Sequence, residues 1–310
     1  MRVLFWGTPD FATPTLRALL GEGLDVVGVV TKPDWPHGRH RSTLVASAVK
    51  QVALEEDLLV LQPERPRGES FISEIQSLSP DLSVVIAYGH ILPDDVIDLP
   101  PQGTLNVHAS LLPRWRGAAP IEAAILAGDS ESGVSIVRMV RKLDAGPVIL
   151  RAPTPIMDDE TGGELRLRLS ELGALAIVEA LALVSMGSDV GEPQDERLVT
   201  WAPRIERSMA HIDWSRSAVE IQRVVRAFDP QPGAFTTLGN FEVKLFGARV
   251  AADAGGDPGH VLEIGEMGML VACGTGGVRI AYVQPAGRRR LATLDWAQGR
   301  GIAAGDVLGS

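Results

Sequence analysis

The sequence predicts two domains: an α/β domain built on a mostly parallel sheet with helices on both faces, then a smaller β domain. The length of 310 residues, with 45% hydrophobic side chains, exceeds what a single core usually needs. In the first half, continuous apolar strands alternate with helices, a pattern typical of a covered parallel sheet. In the last third, short β-like runs separated by glycine-rich turns predict a small barrel or sandwich.

The α/β elements begin almost at the first residue. Val3–Trp6 is an apolar run closed by Gly7, and a helix over 10–20 ends at Gly21. The next predicted strands are Val26–Val30, Leu58–Leu61, Leu82–Ala87, Leu105–His108, Val134–Val140 and Val148–Pro155. The predicted helices are Leu44–Glu56, Ser70–Leu78, Ala118–Ala127 and Gly163–Met186.

The second domain follows a polar stretch that contains Gly and Pro, 187–196, which is typical of a linker. We expect a first domain over 1–188, a linker over 189–206 and a second domain over 207–310. A helix is predicted at Ser217–Phe228. The predicted strands are Ala234–Thr237, Glu242–Val250, Met269–Ala272 and Val278–Val283.

Composition excludes several classes of protein. No apolar run approaches the roughly 18 to 20 residues of a membrane span, and the first apolar run is too short for a signal-peptide core, so we expect a cytoplasmic protein. The single cysteine, Cys273, cannot form an internal disulfide or a thiolate metal cluster and is expected to be a small buried hydrophobe. No heptad seam appears, which favours a monomer.

A net charge of −10, taken alone, argues against a nucleic-acid partner. The charge is unevenly distributed. Residues 1–203 carry 17 basic and 28 acidic side chains, net −11, whereas 204–310 carry 12 and 11, net +1. The acidic excess therefore lies in the first part of the chain.

One segment concentrates polar groups suited to chemistry. Gly7 does not open a G-x-G-x-x-G motif, so a nicotinamide cofactor is not expected. On the strand that ends at His108, the period of two places Asn106 and His108 on one face, at the carboxyl end where open α/β sheets bind ligands. An amide donor beside an imidazole can hold an oxyanion and move a proton.

A third group is needed to support His108 or accept a proton, and Asp144 is the leading candidate. It lies in a turn sequence, 141–147, between two predicted strands. A carboxylate beside the imidazole would favour its charged form. The spacing is equally compatible with a purely structural arrangement, in which Asn106 and His108 hydrogen-bond a turn that Asp144 caps.

The run Asn-Val-His-Ala-Ser-Leu-Leu-Pro-Arg-Trp-Arg-Gly at 106–117, followed by Leu-Asp-Ala-Gly at 143–146, resembles the signature of folate-dependent formyltransferases. The resemblance implies that Asn106, His108 and Asp144 are catalytic, that 10-formyltetrahydrofolate is the formyl donor and that no metal is needed. It treats His90 as a loop residue. It places the folate near Tyr88, Gly89, Ile91, Leu92, Ser110, Leu111, Leu112, Pro113 and Leu143.

Over the whole chain the resemblance is to family members with a Rossmann-like catalytic domain and a C-terminal OB-like barrel, and it implies initiator methionyl-tRNA as formyl acceptor. Three segments carry it: the long connection 31–44, the run 212–235, and 283–290. The residues expected to contact tRNA are Lys32, Arg39, Arg41, Arg288, Arg289 and Arg290. Family members usually have Gly where His40 stands.

Alternatives remain at this point. The 31–44 connection is also compatible with a solvated loop, and the three arginines with simple surface solvation. Zinc binding by His37 and His40 lacks further ligands. The acceptor could instead be an amino sugar or another small amine, and a third alternative is an RNA-binding or folate-sensing protein with a decayed site.

Overall fold

A seven-stranded sheet lies at the centre of the first part of the chain in the computed structural model, which describes residues 1–37 and 43–309. The strands of this part are β1 (Arg2–Gly7), β2 (Asp25–Val30), β3 (Trp35–His37), β4 (Thr43–Val45), β5 (Val60–Leu61), β6 (Leu82–Ile86), β7 (Thr104–His108), β8 (Arg116–Gly117), β9 (Glu131–Arg138), β10 (Val148–Pro155) and β11 (Trp201–Ala202). The helices are α1 (Thr13–Gly21), α2 (Ala48–Glu55), α3 (Glu69–Ser77), α4 (Asp94–Ile97), α5 (Pro120–Ala127) and α6 (Gly162–Ser185).

The strand order of this sheet is β10-β9-β7-β6-β1-β2-β5. Pairing is parallel from β5 through β7, and β9 runs antiparallel to β7. β1 is buried from Val3 onward, as expected for a central strand covered on both faces. The predicted mostly parallel sheet is confirmed.

α6 covers one face of the sheet through residues spaced four apart. Leu169, Ile177 and Leu181 are buried, and Gly173 lies between them in the same row. A Cβ on Gly173 would lie only 2.9 Å from Cγ1 of Val107, closer than real Cβ contacts. The missing side chain therefore lets the helix approach β7 directly.

The predicted helix over 44–56 was wrong at its start, because α2 begins at Ala48. Residues 43–45 pair instead with 35–37 as an antiparallel hairpin, β3–β4. The Ser47 hydroxyl accepts a hydrogen bond from the Lys50 amide at 3.0 Å and caps the helix. Such caps are worth about 0.5–2 kcal/mol. The apolar spacing of the helix extends back to residues 44 and 45, but the structure pairs these residues with 35 and 36 in the hairpin.

The last part of the chain forms an antiparallel sheet with one helix packed on it. Its elements are α7 (Ala218–Ala227), β12 (Phe235–Leu238), β13 (Phe241–Ala251), β14 (Val261–Gly265), β15 (Gly268–Ala272), β16 (Gly277–Pro285), β17 (Leu291–Ala292) and α8 (Thr293–Gln298). The order is β12-β13-β16-β15-β14, and β17 pairs with β16. Strand β14 and helix α8 were not predicted from the sequence.

Near its end the chain joins the two edges of this sheet. Leu308 forms a bridge to Leu238 at the end of β12, and Val307 forms one to His260 beside β14. The sheet is thereby closed around a core that includes Trp214, whose indole N–H donates to the Thr236 hydroxyl at 2.9 Å. The predicted C-terminal β domain is confirmed.

Two compact units can be distinguished, and their limits are discontinuous in sequence. The first comprises 1–120, 132–154 and 166–202, and the second comprises 121–131, 155–165 and 203–310. The limits 1–188, 189–206 and 207–310 stay a prediction. Residues 189–202, expected to be a linker, are part of the first unit.

Within residues 1–37 and 43–309, none of the helices has both the length and the apolar character needed to cross a lipid bilayer.

Cys273 is 4% exposed, and its burial raises the pKa of the thiol to about 11. Since the thiolate is the reactive form, we expect Ellman's reagent at pH 8 to leave the native protein unlabelled. The thiol should react once guanidinium unfolds the chain. Fast stoichiometric labelling under native conditions would contradict the burial of this side chain.

Candidate active site

β7 presents two polar side chains on the face opposite α6. Leu105 and Val107 point into the core and are at most 3% exposed, while Asn106 is partly exposed and His108 lies two residues further along the strand. Asn106 stands between Val85 of β6 and Val137 of β9. In the described part of the chain, its amide makes no hydrogen bond to another side chain, so both amide groups are available to a ligand.

The His108 ring lies between two oxygen acceptors. Nε2 donates to the Trp115 carbonyl at 2.9 Å, and Nδ1 lies 3.7 Å from Oδ2 of Asp144. The two side chains are only 6% and 11% exposed. Each ring nitrogen therefore faces an oxygen that can accept a hydrogen bond.

The Asp144 carboxylate is fixed by its turn. Asp144 has a φ of +48°, in the left-handed region that non-glycine residues seldom adopt. Its Oδ2 accepts a hydrogen bond from the Gly117 amide at 2.9 Å, so one oxygen faces both β8 and His108. Two residues on, a Cβ at Gly146 would lie 1.8 Å from the Arg138 carbonyl oxygen. Only glycine allows the turn to pass this close to β9.

A polar layer behind the turn was missed by the sequence analysis. Gln194 donates to the carbonyls of Asp144 and Gly146, both at 2.8 Å, and its side-chain oxygen accepts from Arg116. Arg116 is fully buried. The motif at 106–117 included Arg116 but suggested no role for it. Gln194 contacts the turn across about fifty residues of sequence, and a single sequence carries no local signal for such a contact.

Family models match both parts of the chain. Residues 1–181 match the model described as "Formyl transferase", and 204–301 match "Formyl transferase, C-terminal domain". The chain belongs to the formyl transferase family. Methionyl-tRNA formyltransferase of Pseudomonas paraeruginosa is 47% identical over 311 residues, 100% of both chains. That of Marinobacter nauticus is 48% identical over 301 residues, 96% of both chains.

Solved structures share the fold at lower identity. HypX from Aquifex aeolicus in complex with tetrahydrofolic acid has a TM-score of 0.64 at 21% identity, covering 95% of this chain and 46% of that one. Methionyl-tRNA formyltransferase from Clostridium thermocellum has a TM-score of 0.59 at 13% identity, covering 82% and 95%. At these identities the likeness shows the fold alone.

The predicted folate residues at 88–92 divide into buried and exposed side chains. Tyr88 and Leu92 lie in the hydrophobic core, where Tyr88 meets Trp6 edge to face at 5.3 Å. Burial raises the pKa of the Tyr88 hydroxyl to about 12. Ile91, by contrast, is 86% exposed. The Tyr88 and Leu92 side chains therefore support the loop, while Gly89 and Ile91 are the residues that it presents to the surface.

The predicted folate residues at 110–113 form a tightly bonded turn after β7. The Ser110 hydroxyl donates to the Arg114 carbonyl at 2.6 Å, and the Ser135 hydroxyl joins the Ser110 carbonyl to the Leu112 amide. Leu112 is buried against β9 and β10, whereas Leu111 and Pro113 are partly exposed. Leu143, beside Asp144, is 52% exposed. Folate contacts by these residues stay a prediction.

Of the three residues of the 31–44 connection predicted to contact tRNA, only Lys32 lies within the described residues. Lys32 is half-buried, and its Nζ lies beside Gly89, where an added Cβ would be 2.7 Å from it. Burial, and then the charge of Lys32, lower the pKa of His90. Arg39 and Arg41, like His40, lie outside the described residues.

The three arginines at 288–290 have exposed side chains but differ in their contacts. Arg290 pairs with Asp229 at 2.5 Å, and its guanidinium lies 3.5 Å from the centre of the Phe246 ring. Arg290 therefore has an internal role in its own unit. Arg288 and Arg289 continue the turn after β16 as exposed residues.

No group of three or more His, Cys, Asp or Glu side chains suited to a metal ion occurs within 1–37 and 43–309.

We expect Gly146→Ala to lower formyl-transfer turnover by tenfold or more, because the new Cβ must displace the Asp144 turn from Arg138, and about 1 Å of misplacement can cost a hundredfold. Gly21→Ala is the control, since nothing lies within 4 Å of its added Cβ. Turnover and thermal unfolding of both variants are the measurements. Equal turnover of the two would show that this turn does not position the catalytic group.

Proposed function

We propose that the chain transfers the formyl group of 10-formyltetrahydrofolate to the α-amino group of methionine on initiator methionyl-tRNA, for translation initiation. The observation that carries the proposal is the His108–Asp144 pair beside Asn106, at the end of β7 in a formyl transferase domain. Full-length relatives named methionyl-tRNA formyltransferase, 45% to 48% identical, support this acceptor.

The reaction follows from the position of the three side chains. The uncharged amine attacks the formyl carbon, and a new C–N bond forms while the carbonyl oxygen becomes an oxyanion. The Asn106 amide and the Nε2–H of His108, which the Trp115 carbonyl holds in the resting protein, are the donors for that oxyanion. The Asp144 carboxylate keeps Nδ1 of His108 in place.

Collapse of the intermediate breaks the bond between the formyl carbon and N10 of the folate. The amine loses one proton and N10 gains one, so the reaction is balanced without an added acid or base. His108 and Asp144 are the groups in reach that can carry this proton, directly or through water. No step needs a metal ion.

Folate binding is proposed for three loops, which follow β6, β7 and β9. The exposed Ile91 and Leu143 offer apolar surface of the kind a pterin ring covers. Gly89 lies in the loop of Ile91, and Leu111 and Pro113 lie in the turn after β7. Tyr88, Leu92, Ser110 and Leu112 hold these loops in shape from below, through core packing and hydrogen bonds.

Transfer RNA binding is proposed for the basic residues of two segments. Lys32, Arg39 and Arg41 belong to the first, and Arg288, Arg289 and Arg290 to the turn after β16. Phosphate contacts are local, so such segments can serve a chain with a net charge of −10. Closed β barrels of the OB type commonly bind nucleic acid. We further propose that the protein acts as a monomer in the cytoplasm.

A formyltransferase for an amino sugar is the main alternative. The N-formyltransferase from Helicobacter canadensis, in complex with folinic acid and dTDP-3-aminofucose, has a TM-score of 0.66 at 17% identity and covers 93% of this chain. The fold of the C-terminal domain therefore does not by itself distinguish a tRNA acceptor from an amino-sugar acceptor. The higher identity to the tRNA enzymes, together with the basic turn, favours tRNA.

The test is a formylation assay with purified full-length protein, 10-formyltetrahydrofolate and either charged initiator tRNA or an amino-sugar nucleotide. Formylmethionyl-tRNA is the expected product. Formylation of the sugar alone would replace the proposed acceptor, and binding without turnover on either substrate would point to a decayed site.

In the same assay His108→Ala should lower kcat about a hundredfold or more. The oxyanion loses a hydrogen-bond donor, and the transferred proton loses the side chain that carries it. The thermal midpoint should change little by comparison. His260→Gln is the matched control, since within the described structure the His260 ring hydrogen-bonds only the Asp257 carbonyl of its own turn. Near-normal kcat for His108→Ala would remove the proposed mechanism.

Arg288→Ala with Arg289→Ala should raise the KM for tRNA and leave the KM for folate unchanged. Each lost phosphate contact should reduce the slope of log KM against log salt by about 1. Arg249→Ala removes another exposed arginine of the same unit, on β13, and is the control. Arg290→Ala should instead lower the thermal midpoint, because Asp229 loses its partner. An unchanged salt slope in the double variant would exclude this turn as a tRNA contact.

A further inference from the structure

Residues 192–202 run alongside the catalytic turn and are bonded to it at several points. Glu192 forms a backbone bridge to Val148 at the start of β10. Further on, the Thr200 hydroxyl accepts from the Trp115 amide at 2.9 Å, and β11 pairs with β8. This segment therefore touches the backbone on both sides of the His108–Asp144 pair.

Gln194 lies in the middle of this segment, and every polar atom of its side chain is used. The amide nitrogen donates to the carbonyl oxygens of Asp144 and Gly146, each at 2.8 Å. The amide oxygen accepts from Nε and Nη2 of Arg116 at 3.0 and 2.8 Å. Only one orientation of the amide meets two carbonyls on one side and a guanidinium on the other, so the neighbours fix its conformation.

Buried Arg116 holds the Gln194 side chain in its conformation. Its side chain has no exposed surface, and its Nη2 also donates to Glu196 at 3.0 Å. Its Nη1 is buried with no partner among the residues that the structure describes. A buried guanidinium that is already short of one acceptor would lose two more hydrogen bonds if Gln194 moved, and such losses are costly.

The backbone that Gln194 holds is unfavourable without support. Asp144 stands in the left-handed region, and the two carbonyls that Gln194 binds lie at Asp144 itself and two residues further on. Their orientation sets the direction in which the Asp144 side chain leaves the turn. That direction decides whether Oδ2 reaches both the Gly117 amide and Nδ1 of His108.

We propose that Gln194 is a positioning residue, which holds the Asp144 turn so that its carboxylate meets His108, and that buried Arg116 orients Gln194 for this task. The inference rests on the proposed function in assigning Asp144 and His108 to formyl transfer. Gln194 itself touches neither substrate nor the reacting atoms and acts only through Asp144.

Two substitutions at this position separate its contacts. Gln194→Glu keeps the side-chain length and the acceptor for Arg116 but replaces the two donors with an oxygen that faces the carbonyls. Gln194→Met removes donors and acceptor together. For both variants we expect kcat to fall about tenfold to a hundredfold, with the KM for tRNA and folate within about twofold of wild type. Gln194→Glu retains its pairing with Arg116 and should fold normally, as thermal unfolding will show.

Glu196→Gln is the matched control. Glu196 contacts the same arginine, and it bonds the Asp144 turn through the exposed Lys142 side chain rather than through the turn's backbone carbonyls, so kcat should stay within about twofold of wild type. A double-mutant cycle with Asp144→Asn tests the route of the effect. Gln194→Glu should cost nothing further in the Asp144→Asn background if it acts through that carboxylate, whereas a general structural role would lower kcat again by the same factor.

A readout without turnover separates this inference from the proposed function. In histidine-labelled protein, the ring nitrogen signals of His108 should shift in Gln194→Glu and stay in place in Glu196→Gln. Unshifted signals, or wild-type kcat in Gln194→Glu, would overturn the positioning role. A wild-type protein that formylates neither tRNA nor a sugar amine, but shows the expected shift, would overturn the function alone.

Discussion

The buried contact between His108 and Asp144 is the interaction on which the rest of the catalytic unit depends. Two polar side chains so little exposed are tolerated only where hydrogen-bond partners satisfy their donors and acceptors. Here the Trp115 carbonyl takes the second ring nitrogen, and the Gly117 amide binds the same carboxylate oxygen that faces His108. Both partners belong to the turn around β8, so this short strand and its pairing with β11 are part of the site.

The backbone around this pair has an unfavourable conformation at one residue and an unusually close approach at another. Asp144 occupies an unfavourable conformation, and Gly146 passes so close to Arg138 that a side chain has no room. Behind them a fully buried arginine is compensated by a glutamine from a segment far along the chain. These features cost stability individually and are retained together, which is typical of a site held in one geometry for catalysis.

Three residues predicted to contact ligands have side chains that pack or pair within the protein. Tyr88 and Leu92 were predicted as folate contacts, yet their side chains pack in the core under the loop. Arg290 was predicted with its two neighbours as a tRNA contact, and it pairs with Asp229 over the Phe246 ring. Local sequence can point to a loop or a turn as a candidate binding segment. Which of its side chains faces outward depends on packing against residues distant in the chain.

The sequence by itself determined the order of the longer strands and helices of the first part of the chain, because periods of two and near four record which side chains are buried. The same rule placed Asn106 and His108 on one face of β7, and a signature motif added Asp144. Tertiary structure decided the rest. The hairpin of 35–37 with 43–45 delayed the start of α2, the chain end joined the edges of the second sheet, and Gln194 reached the Asp144 turn across fifty residues. Each of these is a hydrogen-bonded contact between separate segments of the chain, and such contacts leave no local periodicity to read.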